Sequence, residues 1–294
     1  MSFAAETAST VSRALGKYCQ EVKPVGKWRW QCAMLNGTRL PVAVSLHEGF
    51  VSLACDAETT VDGLSMLERA ISANALLHNG VKMVLDASSR ILRLHSDIAF
   101  LEEPQLIARL HWVLDGFHQG VGALAALGAD RTHSAEPAAA ATSGHLDHFN
   151  EATRESSWQF TRRGSDEFAV EIESVSAPPA LICIDKSGIA ASVELVRCNR
   201  ADGAVPDALT IFLLTVTREM RLIRATRQSG NQEVFGLQAG LPVLPAPEEL
   251  DHALAALSVA HRACAREANV LLNDRAARCY LAARNPSINP RANQ

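Results

Sequence analysis

His145 and His148 flank Leu146-Asp147, a spacing that sets two imidazoles on one helix face, where they could share a metal ion. No third ligand stands nearby. The pair sits where a polar stretch meets a helix, so a solvated helix start with Asp147 in the favourable end of its dipole is the simpler reading. His111 and His118 are two helical turns apart on the flank of an apolar stripe, which suits a half-buried helix position better than acid–base catalysis. Seven cysteines, Cys19, Cys32, Cys55, Cys183, Cys198, Cys264 and Cys279, form no CxxC pair and no zinc-finger spacing. Cys183 and Cys198 could face each other across strands, but buried free thiols are the plainer expectation. Walker loops, GxGxxG turns and Gly-x-Ser-x-Gly elbows do not occur. The residue types therefore predict no catalysis, no metal and no cofactor.

What is left is the chemistry of contact. Arg218, Arg221, Arg224 and Arg227 recur every three residues, interleaved by Met220, Leu222 and Ile223. That pattern predicts a strand edge turned to solvent or to an acidic partner, its charges also opposing aggregation. Trp28 and Trp30 share one face of a predicted strand, and Trp158 heads another. Aromatic residues favour sheet interiors, yet tryptophan is enriched where proteins grip one another. With Val42, Val44 and Leu46 of the next strand, and with Arg221 and Arg224, these tryptophans are the candidate partner-binding residues.

The elements that must position them come in two rounds. Val11, Leu15, Tyr18, Cys19 and Val22 mark one face of a helix over 7–22, stopped by Pro24 and Gly26. Three β-prone runs follow between Trp28 and Cys55, the first two joined by an Asn36-Gly37 turn. Leu64, Leu67, Ile71 and Ala75 share a helical face. Val81, Met83 and Leu85 alternate along a strand that turns at 86–89 and returns through Leu92 and Leu94. Pro104 then opens a helix whose stripe is Leu106, Ile107, Leu110, Val113, Leu114 and Phe117. The order is α-βββ-α-ββ-α, an α+β unit over 1–125.

Residues 126–144 are rich in Ala, Ser, Thr and Gly and read as a linker. A second unit over 145–284 starts again, with a tail at 285–294. Trp158-Gln159 restates Trp30-Gln31, though four strand-like runs follow where three are needed. Leu76-Leu77 and Met83 match Leu213-Leu214 and Met220 without a gap, as do Leu106, Leu110 and Val113 with Leu250, Leu254 and Leu257. The last helix extends to about Ala283. A tandem duplication is the reading. The two middle helices, bearing Leu64, Leu67 and Ile71 in one copy and Leu209, Phe212 and Leu213 in the other, are the expected docking surface between copies.

Across its 294 residues the chain carries a net charge of −4 with both signs dispersed, so neither a nucleic-acid footprint nor a membrane-binding basic patch is expected. No secretory leader is read at the N-terminus and no run is apolar enough to span a bilayer. Reduced thiols then point to the cytoplasm.

The run from Leu67 to Phe117 resembles the C-terminal half of the class I type III secretion chaperones, the Tir-chaperone or CesT-like superfamily. The resemblance rests on Ala73-Asn74-Ala75-Leu76-Leu77 at a helix end, a strand ending at Leu85-Asp86, a returning strand at Ile91–Leu94, and an acidic, proline-marked approach to an apolar helix. The segment 241–263 is similar to the same family's last strand and helix. YbjN-type regulators share nearly the same element order and stay open as an alternative. The resemblance implies a non-enzymatic protein that binds the extended N-terminal segment of a secreted effector and keeps it secretion-competent. It departs from that family in having two units per chain. The implied assembly is an intramolecular pseudo-dimer, either monomeric or dimerising further.

Overall fold

The computed structural model describes residues 3–34, 41–47, 49–77, 79–86, 88–99, 103–128, 142–172, 178–186, 188–199 and 201–284. The Asn36-Gly37 turn, most of the linker and the tail lie outside these. The described residues form α1 (Phe3–Tyr18), β1 (Cys19–Gly26), β2 (Arg29–Met34), β3 (Pro41–His47), β4 (Phe50–Thr60), α2 (Leu64–Asn74), β5 (Lys82–Asp86), β6 (Ile91–Ala99) and α3 (Glu103–Gly128). They continue as α4 (Ser143–Glu155), β7 (Phe160–Arg162), β8 (Glu167–Val170), β9 (Ala180–Ile184), β10 (Ile189–Cys198), α5 (Val205–Val216), β11 (Ile223–Ser229), β12 (Glu233–Leu241), α6 (Pro247–Leu271) and α7 (Asp274–Arg284). The class is α+β, and all strand pairing among the described residues is antiparallel.

Strand order in one sheet is β1-β2-β3-β4-β6-β5 and in the other β7-β8-β9-β10-β12-β11. The order is the same in both. Both long strands also break register at comparable places, between Cys55 and Glu58 in β4 and between Glu194 and Val196 in β10. The first half thus has four strands before its middle helix, not the three expected. The residues missed are 19–26, read as the end of α1 because Cys19 and Val22 continue its spacing. Pairing with β2 overrides that local preference. β1 carries a bulge, Pro24 and a left-handed Glu21 (φ 55°), while β7 has three residues. Both outer edges are therefore poor templates for another strand.

Helices cover one face of each sheet. α1 and α3 pack on the first, burying Val11, Leu15, Leu110 and Phe117 against Val42, Leu53 and Leu94. α6 covers β10 and β12 through Leu250, Leu254 and Leu257. Each fully buried side chain of this size contributes about 1.5–3 kcal/mol. The last helix breaks after Leu271, where α6 ends, and α7 packs onto α5. The two halves meet at β5 and β11, the remaining sheet edges. α2 lies against α5 and β11, and α5 lies against β5. Each middle helix thus packs on the edge strand of the other half.

The Trp158-Gln159 restatement and the gapless match of Met83 with Met220 do not survive as positions in the fold. Trp158 precedes β7, the first strand of its sheet, whereas Trp30 lies in β2, the second. Met83 is in β5, but Met220 lies in the turn before β11. Lys82 stands opposite His95 on β5 and Arg224 opposite Gln238 on β11, each two residues after a left-handed position, Gly80 and Leu222. Leu106, Leu110 and Val113 on α3 and Leu250, Leu254 and Leu257 on α6 are all buried.

Candidate functional site: the junction of the two halves

The junction is built by cations that cross it. Lys82 is 2% exposed and its Nζ donates to Met220 O (2.5 Å) and Thr217 O (3.1 Å), beyond the end of α5, and to Asp97 Oδ2 (3.3 Å). The last carbonyls of a helix lack intrahelical partners and carry its negative pole, so a cation there satisfies both needs. Arg224 makes the reciprocal contact. Its Nη1 donates to Leu77 O and to Val81 O (3.2 Å), beyond the end of α2, while its Nε donates to Gln238 Oε1 (2.8 Å).

Further ion pairs cross between Arg227 and Glu68 (3.3 Å) and between Arg218 and Asp86 (3.3 Å). The arginine-rich segment is therefore not the exposed edge expected from its spacing. Arg224 and Arg227 are buried, because the other half covers that edge, a tertiary fact with no local signature. Asn74, from the Ala-Asn-aliphatic run, joins α2 to β5 by donating to Met83 O (3.0 Å) and accepting from Met83 N (2.6 Å).

Burial sets the electrostatics. It lowers Lys82, and Asp97 only partly restores it. It also tends to raise Asp97, but Lys82, His95 and the Ser52 hydroxyl (2.7 Å) outweigh it and hold the carboxyl below its ordinary range. His95, 3.5 Å from Asp97, is pushed down to about 4, burial being the largest cause. Arg224 falls to about 10 through burial. Asp86 is held down to about 2, chiefly by the Ser88 hydroxyl in its Asx turn.

Beside this network opens a groove of about 810 Å³, floored by α6 and walled by both halves. Phe50 and Ala99 come from the first sheet, Met220, Arg221 and Leu222 from the turn before β11, and Ala256, Val259 and Ala263 from α6. The guanidinium of Arg221 stacks on the Phe50 ring at 4.4 Å. Its Nη1 is buried with no hydrogen-bond partner among the described residues.

Of the other candidates, Trp30, Val42 and Val44 are core residues, 7%, 0% and 1% exposed, so their apolar surface is already used inside the first sheet. Trp28 lies in the β1–β2 turn with φ 61°, not on the strand face it was to share with Trp30, and Lys27 sits 5.7 Å over its ring. Leu46 and Trp158 are half-buried against the core. Leu64, Leu67 and Ile71 lie on α2, and Leu209, Phe212 and Leu213 on α5. Those helices do pack together, although Phe212 meets Tyr280 of α7 edge to face at 6.3 Å.

His145 Nδ1 accepts from Thr142 N (3.4 Å) at the start of α4, and His148 Nε2 contacts Pro245 O (3.3 Å). Among the described residues no cluster of three His, Cys, Asp or Glu could hold a metal. All seven cysteines are free. Five are buried, and Cys183 and Cys279 are exposed. Cys183 faces Ala190, so it does not oppose Cys198. No described helix is long and apolar enough to cross a membrane.

Sequence reasoning missed Lys82, Asp97, Phe50 and Ala256. Lys82 had one signal, a lone cation in an otherwise apolar strand. Ala256 had none. No protein-family model matches the sequence, and no curated protein is similar to it.

Proposed function

We propose that the chain is a tandem pair of type III secretion chaperone-like units, joined as an intramolecular pseudo-dimer, that binds an extended segment of a secreted effector in the cytoplasm and keeps it secretion-competent without catalysis. The observation that carries this reading is the reciprocal packing of α2 and α5 on the edge strands β11 and β5. Lys82 and Arg224 make the exchange mutual. Two sheets of one strand order, related in this way, leave an apolar groove at their junction. Grooves that take apolar side chains of an extended chain are a general mode of peptide recognition.

The partner binds through side-chain anchors rather than by adding a strand, since the outer edges are blunted. Those blunted edges also favour a second reading, a YbjN-like regulator or scaffold that holds a folded partner. Two measurements test the proposal. The chain should run in solution near 31.6 kDa, and a mass twice that would count against the monomeric pseudo-dimer and leave only one that dimerises further. It should co-purify from its own cells with a secreted protein whose N-terminal segment becomes protease-resistant. Retention of no secretion substrate would sink the chaperone role, and retention of a folded partner resistant throughout would favour the regulator.

A further inference from the structure

The two halves build two junction grooves, and one of them is already filled. Trp112 follows Leu110 on α3 as Ala256 follows Leu254 on α6. The Trp112 indole lies against Gly80 and Gly188, 3.2 Å and 3.9 Å from where their Cβ atoms would stand. Gly80 sits two residues before Lys82 with φ 69°, and Leu222 sits two residues before Arg224 with φ 64°. Gly188 precedes the first buried residue of β10, as Phe50 precedes that of β4. The filled groove is thus Trp112 seated between two glycines. In the open groove Phe50 and Leu222 stand where the glycines were, and Ala256 stands where the tryptophan was. Nothing of comparable size from the described residues covers α6 there, and Val259 is left 59% exposed.

We infer that the open groove takes one aromatic side chain of a partner polypeptide, with a neighbouring carboxylate of that polypeptide accepting from Arg221, while Trp112 closes the other groove so that each chain holds a single segment. The occupant is drawn from the molecule itself, since an indole fills the counterpart. The acidic neighbour follows from charge. Arg221 has a buried, unpartnered Nη1 at the groove wall, whereas the lining carboxylate Glu219 is engaged by Arg218 (3.6 Å). The inference rests on the polypeptide-binding reading above.

Titrating N-acetyl-Trp-Ala-Glu-amide into the full chain, methyl-labelled at Met and Ala, should shift the Met220 methyl and the alanine methyls of α6 with one peptide per chain. The Gln-containing peptide should bind about tenfold more weakly, the contribution of one charge-assisted hydrogen bond. Arg221→Gln should erase that difference. Ala256→Trp, which copies the filled groove, should abolish the shifts, and Val259→Asp at the exposed wall should weaken both peptides if the tryptophan variant fails to fold.

Equal binding of the Glu and Gln peptides, or shifts confined to the Trp112 side, overturns the inference. So does dodecanoate acting at lower concentration than either peptide, which would make the groove a lipid site. If Ala256→Trp still retains the co-purifying substrate, the groove assignment fails and the chaperone reading stands. If the peptides bind but no secretion substrate is retained, the reverse holds.

Discussion

The halves share a strand order and differ in how they fill the space between them. At one junction a helix supplies the bulk, Trp112, and the facing backbone supplies glycines. At the other the backbone supplies bulk, Phe50 and Leu222, and the helix supplies Ala256. The exchange is nearly complementary and incomplete, and the shortfall is the open groove. The cations show the same drift. Lys82 is paired to a buried carboxylate, Asp97, whereas Arg224, at the matching position, leans on the neutral Gln238. Two halves of one strand order can keep that order while differing in the residues that satisfy it, because packing requires a filled volume and a partnered charge rather than particular letters.

The contrast between the cations can be broken at Asp97. Asp97→Asn leaves the Lys82 ammonium buried without its carboxylate, and denaturant unfolding should register a loss of about 3–5 kcal/mol. The double variant Lys82→Met, Asp97→Leu should lose clearly less. Recovery of nothing would mean that Lys82 acts mainly as a cap on Thr217 O and Met220 O.

Acid should act next, and on one half. His95, depressed to about 4 from 6.5, favours the folded state in its neutral form. Its contribution is complete above pH 6.5 and lost as pH falls toward 4, where unfolded chains already bind the proton. A shift of that size is worth about 3 kcal/mol. Melting temperatures measured from pH 7 to 4 should fall, and His95→Gln should flatten that fall. An unchanged slope would relocate the acid sensitivity.

Trp112→Ala should cost about 2 kcal/mol, less than a fully buried tryptophan because Trp112 is half-buried. It should also open the second groove, raising peptide stoichiometry from one to two. A variant that loses stability without gaining a site would show that the glycine-lined groove collapses. Leu222→Gly should stay within about 1 kcal/mol of the parent, since relief of a left-handed φ offsets the lost side chain. Chemical denaturation with both variants side by side would settle how much of each groove is held by backbone and how much by bulk.

Much of this architecture was legible in the chain. The stripe Leu106, Leu110, Val113 and its counterpart Leu250, Leu254, Leu257 announced the covering helices, and Val81, Met83 and Leu85 announced β5. The helix stripes are local periodicities set by one buried face, whereas β5 is buried on both of its faces. β1 was not legible, because Cys19 and Val22 extend the helical spacing of α1 while the pairing that makes them a strand comes from β2. The arginine run misled for a related reason. Spacing tells that charges recur, not that another half of the molecule will cover them. The groove was the least legible feature of all. It exists because Ala256 is small where Trp112 is large, and an alanine on a helix surface carries no mark of what it leaves empty.

The crossing of Lys82 to Met220 has a consequence for synthesis. The two residues are separated by 138 positions, and ribosomes add roughly 5–20 residues per second. For roughly 7 to 28 seconds the first half exists without the carbonyls that its buried ammonium needs and without the helix that covers β5. Its sheet can form in that interval, but the edge strand stays open to any other chain that offers a helix end. Nascent copies on one message are the nearest such chains, so exchange of second halves between neighbours is the characteristic error this architecture must outrun. The tether between the halves then has a kinetic role, keeping the correct second half closer than any other.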